Sequence, residues 1–437
     1  MSSLNRMLAE RFTEQNHAGL KVPSISVENQ LMRVTLAHML WEKSFYVDSV
    51  SVESSIQTLV AKARPEFVEA LAVKARQDFK LRHVPLLLVR ELARNGKLRS
   101  ETVNDVIQRP DEMAELLAIY WKDGKSAIST QLKKGLALAF SKFPEYSLAK
   151  WDKNSAAISM RDVMFLVHPK PESSKQAEMF KRVANKELVT PDTWEVALSG
   201  GADKAETFSR LMREGKLGAL AFLRNLRNMV QAGISEDFIR IYANDLDVSK
   251  VLPFRFIAAA RVVPQFEDML EALMFKACAT MEKLPGKTVI VVDVSGSMFG
   301  PKVSEKSDLD RFDAAAALAV MLRETCENAE IYSFSNSAVR VAPRRGFALV
   351  EAIRASQLHG GTNLGNAMRE IDAVTKYDRV VVVTDEQSSS RPLKPKGLGY
   401  ILNVGDYRNG VNHADWITIT GFSEAVISYI QALEKQN

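Results

Sequence analysis

A run of apolar β-formers, Val289-Ile290-Val291-Val292, passes without a break into Asp293-Val294-Ser295-Gly296-Ser297. Such a run reads as a strand buried on both faces, as in a parallel sheet, and parallel sheets present ligands in the crevice at strand carboxyl ends. A second run, Val380-Val381-Val382-Val383-Thr384, ends in the same way on Asp385. Thr362 lies in Gly360-Gly361-Thr362-Asn363, just ahead of a helical pattern. Two carboxylates and three hydroxyls form an all-oxygen donor set. That set suits a hard divalent cation, Mg2+ foremost, and suits zinc or copper poorly. A fold that kept these residues without metal would leave two aspartates repelling one another. A metal-dependent hydrolase is the catalytic alternative, but the sequence places neither a second metal cluster nor a neighbouring histidine beside the motif.

From Gly286 onward, strands alternate with helices. Val289–Val292, Ile331–Phe334, Val380–Val383, Tyr400–Val404 and Trp416–Ile419 read as short buried strands, with helices near Phe312–Cys326, Leu364–Thr375 and Glu424–Leu433. The alternation predicts a mostly parallel sheet covered on both faces, with Pro343 to Gly346 and Ser388 to Gly399 as its main loops. From Val27 to about Lys283 the texture is instead helical, broken at Pro65, Pro85, Pro110, Pro144, Pro169 and Pro191. Thr190-Pro191-Asp192 reads as one helix start, with Thr190 as cap, and Gly200-Gly201 as its stop. Ile128, Leu132, Leu136, Ala139, Phe140 and Phe143 fall on one helical stripe, so that helix buries one side only. Many short helices of this kind predict an α-solenoid of stacked pairs, although no strict sequence repeat is visible. The expected organisation is a helical domain over 1–285 and a Rossmann-like α/β domain over 286–437.

No apolar run in the 437 residues is long enough to span a bilayer, and residues 1–30 lack the apolar core of a secretory signal, which points to a cytoplasmic protein. Cys278 and Cys326 are too few for a disulfide framework and read as buried, inert thiols. Residues 1–285 carry 41 Lys and Arg against 35 Asp and Glu, a net +6, and the remainder 17 against 18, a net −1. A mild positive excess confined to the helical part fits a phosphate-facing surface, but many helical proteins carry the same.

The Asp-x-Ser-x-Ser motif, the Gly-Gly-Thr loop and the second strand ending in Asp together resemble the metal-ion-dependent adhesion site of von Willebrand factor A domains. That resemblance assigns Asp293, Ser295, Ser297, Thr362 and Asp385 to the cation, with one coordination position open to a partner's oxygen. In the helical part, Gly135-Leu136-Ala137-Leu138-Ala139-Phe140, Leu148-Ala149-Lys150-Trp151 and the stretch Met160 to Pro171 come first. Ala221 to Leu226 and Leu252 to Ala259 follow downstream. Together they resemble the TROVE module of the Ro autoantigen family, in which a ring of HEAT-like helical repeats precedes an A domain. The compact chain suggests a bacterial or viral branch.

The resemblance implies a non-catalytic ribonucleoprotein subunit. Such a subunit binds small noncoding Y RNAs on the outside of the ring and takes single-stranded ends of misfolded RNA into its hole, with a nuclease or another protein docking at the A domain. Lys150 and His168 match family residues of the RNA-binding surface, and Arg161 stands where the family has a basic residue. Lys153, Lys170, Arg224 and Arg227 join them on charge and proximity alone. Each has a plainer alternative: His168 as a helix-terminating residue before Pro169, Arg224 and Arg227 as the solvated face of an amphipathic helix. Phe140 and Phe143 read as core, and Trp151 as either core or stacking platform. The family's Gly-rich stretch near the N-terminus is replaced by Leu40-Trp41-Glu42-Lys43-Ser44-Phe45-Tyr46-Val47. An adaptor that grips polypeptides without RNA is the alternative function. A ring closed within one chain would need no partner, so a monomer is expected.

Overall fold

The computed structural model describes residues 14–15, 21–22, 27–37, 49–152, 157–249, 251, 254–300, 310–385, 388–404, 415–420 and 425–434. Its contacts divide the chain into two compact units, one of residues 25–192 and one of residues 193–437 with 1–24. The change from helix to sheet falls elsewhere, at Leu284. Helices 193–279 thus cluster with the sheet that follows them.

The 25–192 unit contains α1 (Val27–Ala37), α2 (Ser49–Lys62), α3 (Pro65–Gln77), α4 (His83–Arg94) and α5 (Ser100–Val106). It continues through α6 (Asp111–Tyr120), α7 (Thr130–Ser141), α8 (Glu145–Trp151), α9 (Met160–Val167) and α10 (Ser174–Asn185). Helices pack on the next but one as well as on the next: α1 on α3, α2 on α4, α3 on α5, α4 on α6, α5 on α7, α7 on α9. That is the arrangement of stacked helix pairs. The predicted stripe on α7 is confirmed, with Leu132, Leu136, Ala139 and Phe140 buried and Ile128 and Phe143 packed beside them. Gly135 permits the tight approach of α7 to α5, because a Cβ there would come within 2.5 Å of the Ser100 carbonyl oxygen.

A repeat absent from the sequence pattern emerges in the ion pairs. Glu28 pairs with Arg64 across 36 positions, Glu53 with Arg90 across 37, Arg76 with Glu112 across 36, and Glu145 with Arg182 across 37. Each tie links elements about one helix pair apart along the stack. Arg76 and Glu112 are both nearly inaccessible, and Glu112 also accepts backbone hydrogen bonds from Gln108 (2.8 Å) and Arg109 (3.1 Å).

The other unit opens with the short antiparallel pair β1 (Glu14–Gln15) and β2 (Lys21–Val22). It continues with α11 (Trp194–Ser199), α12 (Lys204–Arg213), α13 (Ala219–Gln231), α14 (Glu236–Asn244), α15 (Phe254–Val262) and α16 (Glu267–Cys278). The cap of α11 is Thr193, whose hydroxyl accepts from the Val196 amide, and not Thr190; the proline lies ahead of the cap, outside the first turn. Gly200 ends that helix as expected, and Gly201 follows in the left-handed region at φ +85°.

The sheet comprises β3 (Leu284–Asp293), β4 (Cys326–Phe334), β5 (Ala338–Arg340), β6 (Arg379–Thr384), β7 (Leu398–Asn403) and β8 (Ile417–Thr420). Its order is β5-β4-β3-β6-β7-β8, parallel except for β5, a short edge strand the apolar pattern does not announce. The helices are α17 (Arg311–Thr325), α18 (Gly346–Arg354), α19 (Leu364–Val374) and α20 (Ala425–Glu434). Among these, α18 begins inside the segment read as loop. One sheet face, including Val289, Val291, Val380 and Val382, packs on Leu364, Ala367, Met368 and Ile371 of α19. The alanine-rich α17, buried along its length, packs against β3, β4 and β6. Both cysteines are buried thiols. Among the described residues, no helix is long and apolar enough to cross a membrane.

Candidate cation crevice and nucleic-acid face

Connections leave β3 for β4 on one side and later reach β6 on the other, so the sheet order reverses between β3 and β6. Such a switch point opens a crevice at the strand carboxyl ends. Asp293 ends β3, Asp385 follows β6, and Val292 pairs with Val383 one step below. Both aspartates are fully buried. Asp293 accepts the Ser295 amide on Oδ1 at 2.9 Å and the Thr384 hydroxyl on Oδ2 at 2.6 Å. Burial is the main force that pushes its carboxyl up from 3.8 to about 6; the bonds from Ser295 and Thr384 pull it down, and the Asp385 charge adds to the rise.

The hydroxyls of Ser295 and Ser297 lie 3.3 Å apart. The Thr362 loop is drawn in by the Gly296 amide, which donates to the Gly360 carbonyl at 3.2 Å. A Cβ on Gly361 would stand 2.9 Å from Asn336 Oδ1, so the glycine lets this loop lie against Asn336. The Thr362 carbonyl accepts both the amide and the hydroxyl of Ser389, at 2.9 and 2.7 Å. The predicted residues therefore share one sheet edge. Hydroxyl and carboxylate donors around a buried negative pair fit a hard divalent cation. Among the described residues, no group of three or more His, Cys, Asp or Glu side chains is placed to hold a metal ion, so the donor set of the crevice rests on its hydroxyls as much as on its two carboxylates.

Three features of the crevice escaped the sequence reading. His359 is a neighbouring histidine after all: its Nδ1 lies 2.9 Å from the Val294 carbonyl oxygen and its ring centroid 4.1 Å from that of Phe299. It stands three residues before Thr362, so attention to the whole loop would have found it. Arg311, the first residue of α17, is buried and places Nη1 3.3 Å from Asp385 Oδ2. Leu358, beside the Gly360-Gly361 loop, is 90% exposed.

Of the residues expected to face RNA, Lys150, Arg161, His168 and Lys170 are exposed in the 25–192 unit. Arg224 and Arg227 are exposed in the other unit, opposite the buried Phe222, Leu223, Leu226 and Met229 of α13. Lys153 and the segment Leu40–Val47 lie outside the described residues. His168 ends α9 in the left-handed region at φ +50°, its amide donating to the Met164 carbonyl. The terminating role is therefore performed by its backbone, and the side chain is exposed. Arg161, Phe165 and His168 recur at helical spacing along one exposed stripe of α9, opposite Met160, Val163, Met164 and Val167. Phe165 is 51% exposed, with the Arg161 guanidinium 5.3 Å from its ring centroid. Its spacing between two candidate residues was the available signal. Trp151 is half-buried, with the Arg109 guanidinium 3.7 Å from its ring centroid.

Residues 185–320 match the TROVE domain, and residues 288–387 match the von Willebrand factor type A domain. The first match contains Ala221–Leu226 and Leu252–Ala259 but begins after the stretch Met160 to Pro171. Telomerase protein component 1 of Mus musculus is 33% identical over 107 residues, 23% of this chain and 4% of that much longer protein. The Rattus norvegicus counterpart is 33% identical over 91 residues, 20% of this chain and again 4% of its own length. In fold, the chain is similar to the crystal structure of the Ro protein of Deinococcus radiodurans, with a TM-score of 0.68 and 17% identity, covering 93% of this chain and 99% of that one. The chain thus carries a match to the TROVE domain followed by a match to the von Willebrand factor type A domain, in a fold similar to that of a Ro protein.

Proposed function

We propose that this protein is the RNA-binding subunit of a ribonucleoprotein and catalyses no reaction itself. Its ligands are small noncoding, Y-like RNAs and the single-stranded ends of structured or misfolded RNA, which it holds for quality control or processing in the cytoplasm. The observation that carries the reading, beside the match to the TROVE domain, is the exposed stripe Arg161, Phe165 and His168 on α9. Cations that neutralise phosphates beside an aromatic face that stacks on an unpaired base are the means by which proteins hold single strands.

The A domain supplies a second function in this reading. Ser295, Ser297 and Thr362, with Asp293 and Asp385, hold a divalent cation, Mg2+ foremost. Bound there, the cation offers an electrophilic position to an acidic side chain of a docking protein, such as a nuclease. The exposed Leu358 at the rim supports protein docking at this edge.

Binding of a hairpin RNA with a single-stranded 3′ tail, measured across a salt series, tests the reading. Wild type is expected to bind with a slope of about 0.7 log units per phosphate contact, and the Lys150→Ala, His168→Ala double variant to lose most of that affinity. Weak binding, identical in both proteins, would instead favour an RNA-independent adaptor, built on the same crevice, acting as a monomer.

A further inference from the structure

A guanidinium inside a crevice built for a cation needs a reason. Arg311 is buried, its Nη1 lies 3.3 Å from Asp385 Oδ2, and Asp385 is fully enclosed. Two carboxylates enclosed side by side are costly, and a monovalent side chain that neutralises one of them stabilises the crevice when no metal is bound. The same positive charge repels a divalent ion approaching Asp385, strongly so where little water screens it.

The helix that carries Arg311 is firmly held. Asp310 and Asp313 form a reciprocal cap at the start of α17, and Asp313 also pairs with Arg261 of α15 and Arg354 of α18. With the backbone fixed on these sides, exchange between guanidinium and metal is an event of the Arg311 side chain, four rotatable bonds long, and does not require α17 to move.

We propose that Arg311 is a resident counter-ion of Asp385 that competes with the divalent cation, so that the crevice has two alternative positive occupants. The inference rests on the cation reading given above. It makes the site a weak, exchangeable one, filled when the external cation outcompetes the side chain.

The test is direct titration of the full chain with Mn2+, following free Mn2+ by its electron paramagnetic resonance signal. Arg311→Met removes the charge and keeps the length, Arg311→Gln is a smaller uncharged replacement should the first not fold, and Arg311→Lys keeps the charge. The uncharged variants are expected to bind Mn2+ about tenfold more tightly than wild type, and Arg311→Lys to remain within about threefold. In the absence of metal the uncharged variants are expected to melt at lower temperature than wild type and to regain more on adding Mn2+. Equal or weaker binding by the uncharged variants, with saturable binding in wild type that Asp385→Asn abolishes, would overturn the role of Arg311 and leave the cation site standing. No saturable binding in wild type or in the uncharged variants would overturn both.

Discussion

Thr384 Oγ1 donates a 2.6 Å hydrogen bond to Asp293 Oδ2, joining the ends of the neighbouring strands β6 and β3. The bond favours the ionised carboxylate, yet burial prevails and sets the carboxyl at about 6. Between 3.8 and about 6 the native state therefore retains a proton that the unfolded chain has released. The associated stability is present at the acid end and is lost as pH rises through 6. In chelator, wild type should lose on the order of 3 kcal/mol relative to Asp293→Asn between pH 4 and 7. Parallel stability curves for the two proteins would refute this.

Divalent cations should reverse that loss. At a Mg2+ concentration about a hundredfold above its dissociation constant, stabilisation of about 2.7 kcal/mol is expected. The paired substitutions Ser295→Ala and Ser297→Ala should remove most of it while leaving the melting temperature in chelator little changed. Differential scanning calorimetry with and without Mg2+ gives both quantities, and an undiminished cation effect in the double variant would exclude the serine hydroxyls as ligands.

On α9, Phe165→Ala should weaken binding of tailed RNA by about 1–3 kcal/mol, the range for one stacked base, while Phe165→Tyr should bind nearly as wild type. Arg161→Ala should lower the salt slope by about 0.7, because it removes one phosphate contact. Filter binding with an abasic tail separates the two effects: the Phe165→Ala penalty should vanish on that ligand, and a penalty that persists would assign Phe165 a structural role.

The ion-pair ties differ in depth, and so should their energies. Arg76→Ala leaves Glu112 enclosed without its guanidinium partner, and a cost of about 3–5 kcal/mol is expected. Arg64→Ala, at a pair whose arginine is largely in solvent, should cost no more than about 1 kcal/mol. Urea denaturation of the two variants compares them, and equal costs would show that burial does not govern these pairs.

The cation crevice was readable in advance because its residues sit in local motifs: Asp293 to Ser297 directly follow one valine-rich strand, and Asp385 ends another. The helical stripe of α7 was readable for the same reason, since its period is written in consecutive residues. Arg311 was not, because only the crossing of β3, α17 and β6 brings it to Asp385, across 74 positions. The start of α18 was hidden because its capping position holds Arg345, which makes no side-chain cap hydrogen bond, and its first residue is Gly346, a glycine in the left-handed region. The division of the compact units at residue 193 left no mark either, since helices lie on both sides of it. The repeat of the helical unit is likewise carried by pairs such as Glu53 with Arg90 and Arg76 with Glu112, in which acid and base exchange places, so identical residues do not recur at the period.

Ties spaced one helix pair apart also set how the 25–192 unit comes undone. Releasing Glu28 from Arg64 frees the first helix pair without touching Arg76 and Glu112, so the stack can open from its ends one pair at a time. Amide protection should then rise in steps along the chain, each step a helix pair in length, toward the enclosed Arg76–Glu112 tie.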